Sequence, residues 1–262
     1  MPELPEVETI VRDLRKNIIG KKIVNVFASK EKFVRNISFE KFKKEILGKE
    51  ILEVNRRGKY ILIKLSLNYI LLIHLKMTGR VILEKDDYTY FTFELSDGSN
   101  LYYSDPRQFG IIELYKEGEL KLDLGVEPLS KEFTFEKLKK IVNSKKTNIK
   151  NILMDQKLIA GIGNIYASEI LFRAGVNPER KNLTDLEIEK IHEAIIFILK
   201  KAIELKGDSI SDYIRIDGTR GGYQNYAKVY GRKGEKCFNC GEDIKYVKIN
   251  QRGTFYCPKC QK

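Results

Sequence analysis

Cys237-Phe-Asn-Cys240 and, after a sixteen-residue insert, Cys257-Pro-Lys-Cys260 hold all four cysteines of the chain. Each knuckle offers a pair of thiolates, and an insert of hairpin length lets the pairs converge on one tetrahedral Zn²⁺. The alternatives are two disulfides or four buried free thiols. No signal-peptide pattern opens the sequence and no cysteine lies outside the cluster, so we expect a cytoplasmic protein, in which disulfides do not persist. Four thiolates close the coordination shell, which makes the expected zinc structural. The module is basic, with Arg232, Lys233, Lys236, Lys245, Lys248, Arg252, Lys259 and Lys262 against Glu235, Glu242 and Asp243. A small basic zinc hairpin of this kind points to nucleic acid.

The whole chain carries the same sign. Its 262 residues hold 48 basic and 36 acidic side chains, a net charge of +12. Such an excess favours a polyanionic partner, because each neutralised phosphate releases counterions. Lysine outnumbers arginine, so a generally lysine-rich proteome is the other source of this charge. No apolar run approaches the roughly 20 residues that span a bilayer. With only His74 and His192 present, a histidine-rich metal centre is excluded.

Upstream, Val7, Ile10, Val11, Leu14 and Ile18 recur at helical spacing between Pro5 and Gly20, predicting an amphipathic helix. From Lys22 to Lys116 the pattern changes to strands, at Tyr60–Leu65, Tyr69–Leu75, Arg80–Leu83, Tyr88–Leu95 and Leu101–Ser104, with Asp97-Gly98 as a hairpin turn. A short helix over Phe39–Ile46 interrupts the series. Beyond Gly125-Val-Glu-Pro128 the chain reads as helical, at Phe135–Val142 and Ile149–Asp155. Thr184-Asp-Leu-Glu187 is a capping box that opens a long helix through Ala202. The expected class is α+β: a β-sandwich flanked by helices over residues 1–130, a helical domain over 131–231 and the zinc hairpin over 232–262.

The chain begins Met1-Pro2-Glu3-Leu4-Pro5-Glu6-Val7-Glu8. A small second residue permits loss of the initiator methionine, which exposes Pro2 as a secondary amine. Roughly a tenth of α-amines are neutral at pH 7, against a few in ten thousand lysines. A neutral amine can attack an electrophilic sugar carbon and collapse to an iminium, with Glu3 alongside as a proton donor. The structural alternative is that Pro2 and Pro5 merely start a helix whose dipole the acids complement.

Together with the zinc hairpin and the motifs that follow, this N-terminus resembles the formamidopyrimidine-DNA glycosylase family over nearly the whole chain; Leu4 favours this branch over the endonuclease VIII group. The resemblance implies a helix–two-turn–helix in Leu153-Met-Asp-Gln-Lys-Leu-Ile-Ala-Gly161-Ile-Gly163-Asn164-Ile-Tyr-Ala-Ser-Glu, with Asn164 capping the second helix and forming an anion site. It implies that Lys59, in Arg56-Arg-Gly-Lys59-Tyr60, assists proton transfer. It implies that Met77 of His74-Leu-Lys-Met77-Thr-Gly79, with Arg107 and Phe109 of Asp105-Pro-Arg107-Gln-Phe109-Gly110, fills the gap left by an extruded nucleotide. His74, Lys145, Lys150 and Asn164 are the further expected DNA contacts. Arg252, in Gln251-Arg252-Gly-Thr-Phe-Tyr256-Cys257, is placed at the phosphates flanking the lesion, with a part in the second elimination.

The implied activity is that of a monomeric base excision repair enzyme, a DNA glycosylase and abasic-site lyase. It acts on double-stranded DNA held in a basic cleft, with no cofactor besides one structural zinc ion. Pro2 attacks C1′ of a damaged purine nucleotide, 8-oxoguanine or a formamidopyrimidine, and β- and δ-elimination follow. The alternatives are an oxidised-pyrimidine glycosylase and a catalytically silent binder of damaged DNA. Two stretches depart from common members. Tyr88-Thr89-Tyr90 stands where His-Asp-His is frequent, and the loop from Asp217 to Tyr226 differs through Arg220, Gly221, Gly222 and Tyr226. Both bear on lesion preference.

Overall fold

The alternating stretch yields eight strands in the computed structural model, which describes residues 1–262. These are β1 (Ile23–Ala28), β2 (Ile51–Arg57), β3 (Tyr60–Leu65), β4 (Tyr69–His74), β5 (Arg80–Ile82), β6 (Thr89–Leu95), β7 (Asn100–Ser104) and β8 (Ile111–Lys116). They form two four-stranded antiparallel sheets, ordered β1-β6-β7-β5 and β2-β3-β4-β8. Period-two patterning supplies one apolar face to each. In β3, for example, Ile61, Ile63 and Leu65 are buried while Tyr60, Leu62 and Lys64 are half-exposed. Val26, Phe91, Phe93 and Leu101 from the first sheet meet Val54, Ile63, Leu71 and Ile73 from the second in one core. The result is the expected β-sandwich. Asp97-Gly98 turns β6 into β7, with Gly98 at φ 84°.

Helix α1 (Leu4–Ile18) packs its apolar stripe on β2 and β3. Val7, Ile10, Val11, Leu14 and Ile18 are each at most 1% exposed. Helix α2 (Phe39–Ile46) starts at Ser38, whose hydroxyl accepts from the Lys41 amide. By contacts this unit is residues 1–122 together with 205–222, which departs from the boundary near Ser130. Tyr213 and Ile216 enter the sandwich core. Arg215 grips Asp13 of α1 through two bonds of 2.9 Å, and Ile216 accepts from the Leu83 amide. Contacts between residues more than a hundred positions apart leave no trace in local periodicity.

The other unit, residues 123–204 and 223–262, contains α3 (Phe135–Asn143), α4 (Ile149–Met154), α5 (Asn164–Ala174), α6 (Asp185–Glu204), β9 (Lys245–Ile249) and β10 (Arg252–Tyr256). The Thr184–Glu187 box is present, each backbone amide donating to the other's side chain at 2.8 and 3.3 Å. Helical and zinc-hairpin residues pack together in this unit, because Phe172 of α5 and Val229 share an apolar cluster with Cys237, Ile244 and Cys257. Glu169 of α5 reinforces this. Its buried carboxylate accepts from the amides of Lys228, Val229 and Tyr230 at 2.8 to 2.9 Å. Nothing in the local sequence pattern singles it out.

Candidate active site

Pro2 is buried at the head of α1, and Glu3, 3% exposed, is the N-cap residue of that helix. The Glu3 amide donates to Glu6 Oε2 at 2.7 Å, so the first turn is fixed through a carboxylate rather than left to fray. One turn on, Glu8 accepts from Arg12 at 2.8 Å and from Arg56 at 3.0 Å. Arg56 also donates to the carbonyl of Gly58 at 3.0 Å. That carbonyl belongs to the two-residue loop Gly58-Lys59 between β2 and β3, where Gly58 takes φ 55° as the turn demands. The Glu8–Arg56 pair therefore ties the helix that begins beside Pro2 to the hairpin that carries Lys59. Lys59 itself is 6% exposed, not a solvent-facing edge lysine.

His74 closes β4 opposite Tyr60 and meets its ring edge-on at 4.6 Å. Its Nδ1 accepts from the Lys76 amide at 2.9 Å, so the ring proton sits on Nε2. Burial, then the cations of Lys76 and Lys59, hold the imidazole down at about 3. At neutral pH His74 is an uncharged donor.

Met77 and Phe109 are 39% and 50% exposed, so neither is a core residue. Their loops are joined by Asp105, which is fully buried. One oxygen accepts from the Thr78 hydroxyl at 2.6 Å and the other from the Gly110 amide at 2.8 Å. Thr78 in turn accepts from the Arg107 amide at 3.1 Å. Exposed Arg107 lies over the Phe109 ring, 5.1 Å from its centre. The two motif glycines are explained by crowding: a Cβ on Gly110 would lie 1.4 Å from the Tyr103 hydroxyl, and one on Gly79 would lie 2.5 Å from the Leu75 carbonyl. The motif pattern alone does not assign Asp105 this role, which depends on a loop 27 residues away.

In the second unit, Gly161 adopts φ 91° between α4 and α5, and Gln156 spans that turn, accepting from the Gly161 amide and donating to the Ile162 carbonyl. The N-cap of α5 is Gly163, with Asn164 already inside the helix, which corrects the expected capping role. The Asn164 side-chain amide, through Nδ2, donates instead to the carbonyl of Gly253 at 2.9 Å. Lys150 is 1% exposed and donates to Thr254 Oγ1 at 2.6 Å and to the Gly253 carbonyl at 3.2 Å, so it braces the hairpin from within. Exposed Arg252, the neighbour of Gly253, extends from a backbone that both side chains hold. Lys145 is exposed and lines an open depression of about 590 Å³ with Lys146 and Lys181.

The Sγ atoms of Cys237, Cys240, Cys257 and Cys260 all lie within 4.8 Å of one another, with pairs at 3.9 and 3.5 Å. A tetrahedral zinc with bonds of about 2.3 Å needs sulfurs about 3.8 Å apart. The donor set fits one structural Zn²⁺.

Residues 1–112 match the formamidopyrimidine-DNA glycosylase N-terminal domain, 124–214 its H2TH domain and 234–262 a zinc finger found in FPG and IleRS. Formamidopyrimidine-DNA glycosylases of Pelotomaculum thermopropionicum and Carboxydothermus hydrogenoformans are 44% and 43% identical, covering all of this chain and 99% and 100% of theirs. The chain belongs to the formamidopyrimidine-DNA glycosylase family. Among solved structures, the MutM (Fpg) protein of Thermus thermophilus superposes with a TM-score of 0.92 at 39% identity, covering 99% of this chain and 98% of that one. A point mutant of Lactococcus lactis Fpg, in complex with Fapy-dG-containing DNA, gives 0.93 at 38% identity over the full length of both chains.

Within the glycosylase framework, the tyrosines of the first departure have separate fates. Tyr88 leaves its ring 48% exposed. Tyr90 stacks on Phe33, carries Lys30 over its face at 4.4 Å and accepts from Gln108 at 3.3 Å. It thus supports the loop of Arg107 and Phe109. In the second departure, Gly221 packs so closely that a Cβ would lie 2.2 Å from the Gly207 carbonyl, while Arg220 is exposed. Tyr226, at the end of that loop, belongs to the helical unit, with Lys201 and Lys228 over its ring. No helix is long and apolar enough to cross a membrane.

Proposed function

We propose that this glycosylase removes oxidised purines, 8-oxoguanine and formamidopyrimidines, from double-stranded DNA and then cleaves the abasic strand through a Schiff base on Pro2. The observation that carries the reading is the buried Pro2–Glu3 pair at the head of α1, with a buried lysine, Lys59, on the hairpin that Arg56 ties to the same helix. A silent binder needs none of these groups. Lactococcus lactis relatives in complex with Fapy-dG DNA and abasic-site DNA support the choice of ligand. The cytoplasm is the matching compartment.

The chemistry follows from the groups present. After loss of Met1, the neutral Pro2 nitrogen attacks C1′ and the base departs with the bonding pair of the glycosidic bond. Glu3 protonates the sugar ring oxygen, the ring opens, and the iminium acidifies C2′ for β-elimination. Lys59 assists proton transfer, and Arg252 holds a flanking phosphate through δ-elimination. Met77 and Phe109 support the vacated stack while Arg107 hydrogen-bonds the orphaned partner base. The zinc is confined to shaping the hairpin that presents Arg252.

Mass spectrometry of purified protein should find Met1 absent, and borohydride should link Pro2 to lesion-bearing duplex. Pro2→Gly should retain DNA binding and lose most cleavage. A covalent link at a lysine with Pro2 unmodified overturns the mechanism.

A further inference from the structure

Asp208 lies just beyond α6, in the stretch that returns to the sandwich unit. It is 3% exposed. Its Oδ1 accepts from the Ile210 amide at 2.9 Å, while Oδ2 is buried with no hydrogen-bond partner. Its amide donates to Glu6 Oε1 at 2.8 Å, and the other oxygen of that carboxylate accepts from the amide of Glu3. One side chain thus links the backbone of Asp208 to that of the residue following Pro2. Gly207 makes the approach possible: it takes φ +83°, and a Cβ there would lie 2.8 Å from Glu6 Oε1.

A buried carboxylate oxygen without a donor is costly to maintain, and an orphan of this kind calls for a use. The charged and titratable groups that face it are the Glu3 carboxylate, the amine of Met1, which directly precedes Pro2, and Glu6, with the Tyr213 ring against Gly207. Burial is the main influence raising the Asp208 carboxyl; Glu3 adds to it, while the Ile210 amide and the Met1 amine oppose it.

We propose that Asp208 accepts the proton that the Pro2 nitrogen must shed, as the counterpart of Glu3. The inference rests on the Pro2 reading above. Attack forms the N–C1′ bond as the glycosidic bond breaks; the base leaves with the bonding pair and takes a proton from solvent. The nitrogen is then a tertiary ammonium carrying one hydrogen. Asp208 Oδ2 removes that proton, the freed lone pair opens the C1′–O4′ bond, and O4′ takes the proton of Glu3. One proton has passed from nitrogen to sugar oxygen by way of two carboxyl groups. Asp208 ends protonated and Glu3 ionised, and exchange with water resets both.

The test uses full-length zinc-loaded protein, Asp208→Asn, which keeps the acceptor for Ile210, and Asp208→Ser. Base release from an 8-oxoguanine duplex and borohydride capture on a preformed abasic site are followed in single turnovers against pH. Both variants should slow both reactions by about 10²-fold or more, with DNA affinity and melting temperature unchanged. The acid limb of the wild-type rate should steepen toward a slope of two, one proton on the amine and one on Asp208, and fall to one in Asp208→Asn. A wild-type rate in Asp208→Asn overturns the proposal. So does slowed base release with normal abasic-site capture, which makes Asp208 a contact to the base. Lowered stability with unchanged activity per folded molecule makes it structural. If wild-type protein forms no adduct at Pro2, the proposed function fails first and this inference with it.

Discussion

At the residue scale, neighbours decide what a side chain can do, and His74 illustrates this. Free histidine titrates near 6.5, but burial and two lysines hold this imidazole at about 3. The sign follows from linkage: between these values the unfolded chain binds the proton and the folded chain does not, so stability rises with pH across the window. It is fully present above the unfolded value and is lost on acidification toward about 3. By about pH 5 the loss is on the order of 2 kcal/mol. His74→Gln should flatten that part of the stability curve, and the resonances assigned to His74 should show no titration near neutrality. A His74 midpoint near 6.5 in the folded protein contradicts the assignment. Because the ring stays neutral, with its proton on Nε2, any phosphate bond it makes should be insensitive to pH in the same range.

At the scale of elements, Asp105 serves two loops with one carboxylate. Asp105→Ala would leave the Thr78 hydroxyl and the Gly110 amide without their acceptor, at about 1–3 kcal/mol for each buried donor. It should lower the melting temperature and slow excision of an intact lesion together. Met77→Ala should behave differently. An exposed side chain contributes within about 0.5 kcal/mol to stability, so melting should hardly change while excision slows. Arg107→Ala should blunt discrimination of the base opposite the lesion, with much less effect at an abasic site. Thermal melts and single-turnover excision on the same variants check all three. Proportional loss of stability and activity in Met77→Ala would show that it acts through packing alone.

At the scale of the whole molecule, the +12 charge and the zinc hairpin act on affinity. Binding to duplex DNA should weaken steeply with salt, as counterion release requires. Cys257→Ser should cost the zinc and most DNA affinity while the sandwich unit keeps its fold. Arg252→Ala should weaken binding with the metal retained, and should reduce the salt slope by about one phosphate contact. Metal analysis with binding isotherms at several salt concentrations separates these effects; a metal-free protein of normal affinity refutes the role given to zinc. Lys150→Met lies between the two, since it removes the buried donor to Gly253 and Thr254 without touching a thiolate or the phosphate contact.

What depends on local spacing was legible in the sequence alone. Alternation in β3 and β4, the stripe of α1, the Thr184–Glu187 box and the cysteine knuckles are short-range patterns, and each appears where its spacing places it. The motifs also brought the Met77 and Phe109 loops into view, although an apolar residue in a strand-rich region reads equally well as core. Only the tertiary structure decided that both are exposed, that Lys150 and Asn164 turn inward to the hairpin, and that residues 205–222 return to the sandwich. The last two outcomes rest on a few long-range bonds: Lys150 to Thr254 and Gly253, Asn164 to Gly253, Arg215 to Asp13, the Asp208 amide to Glu6. Burial of a charged side chain is set by a partner far along the chain, and no local period records it.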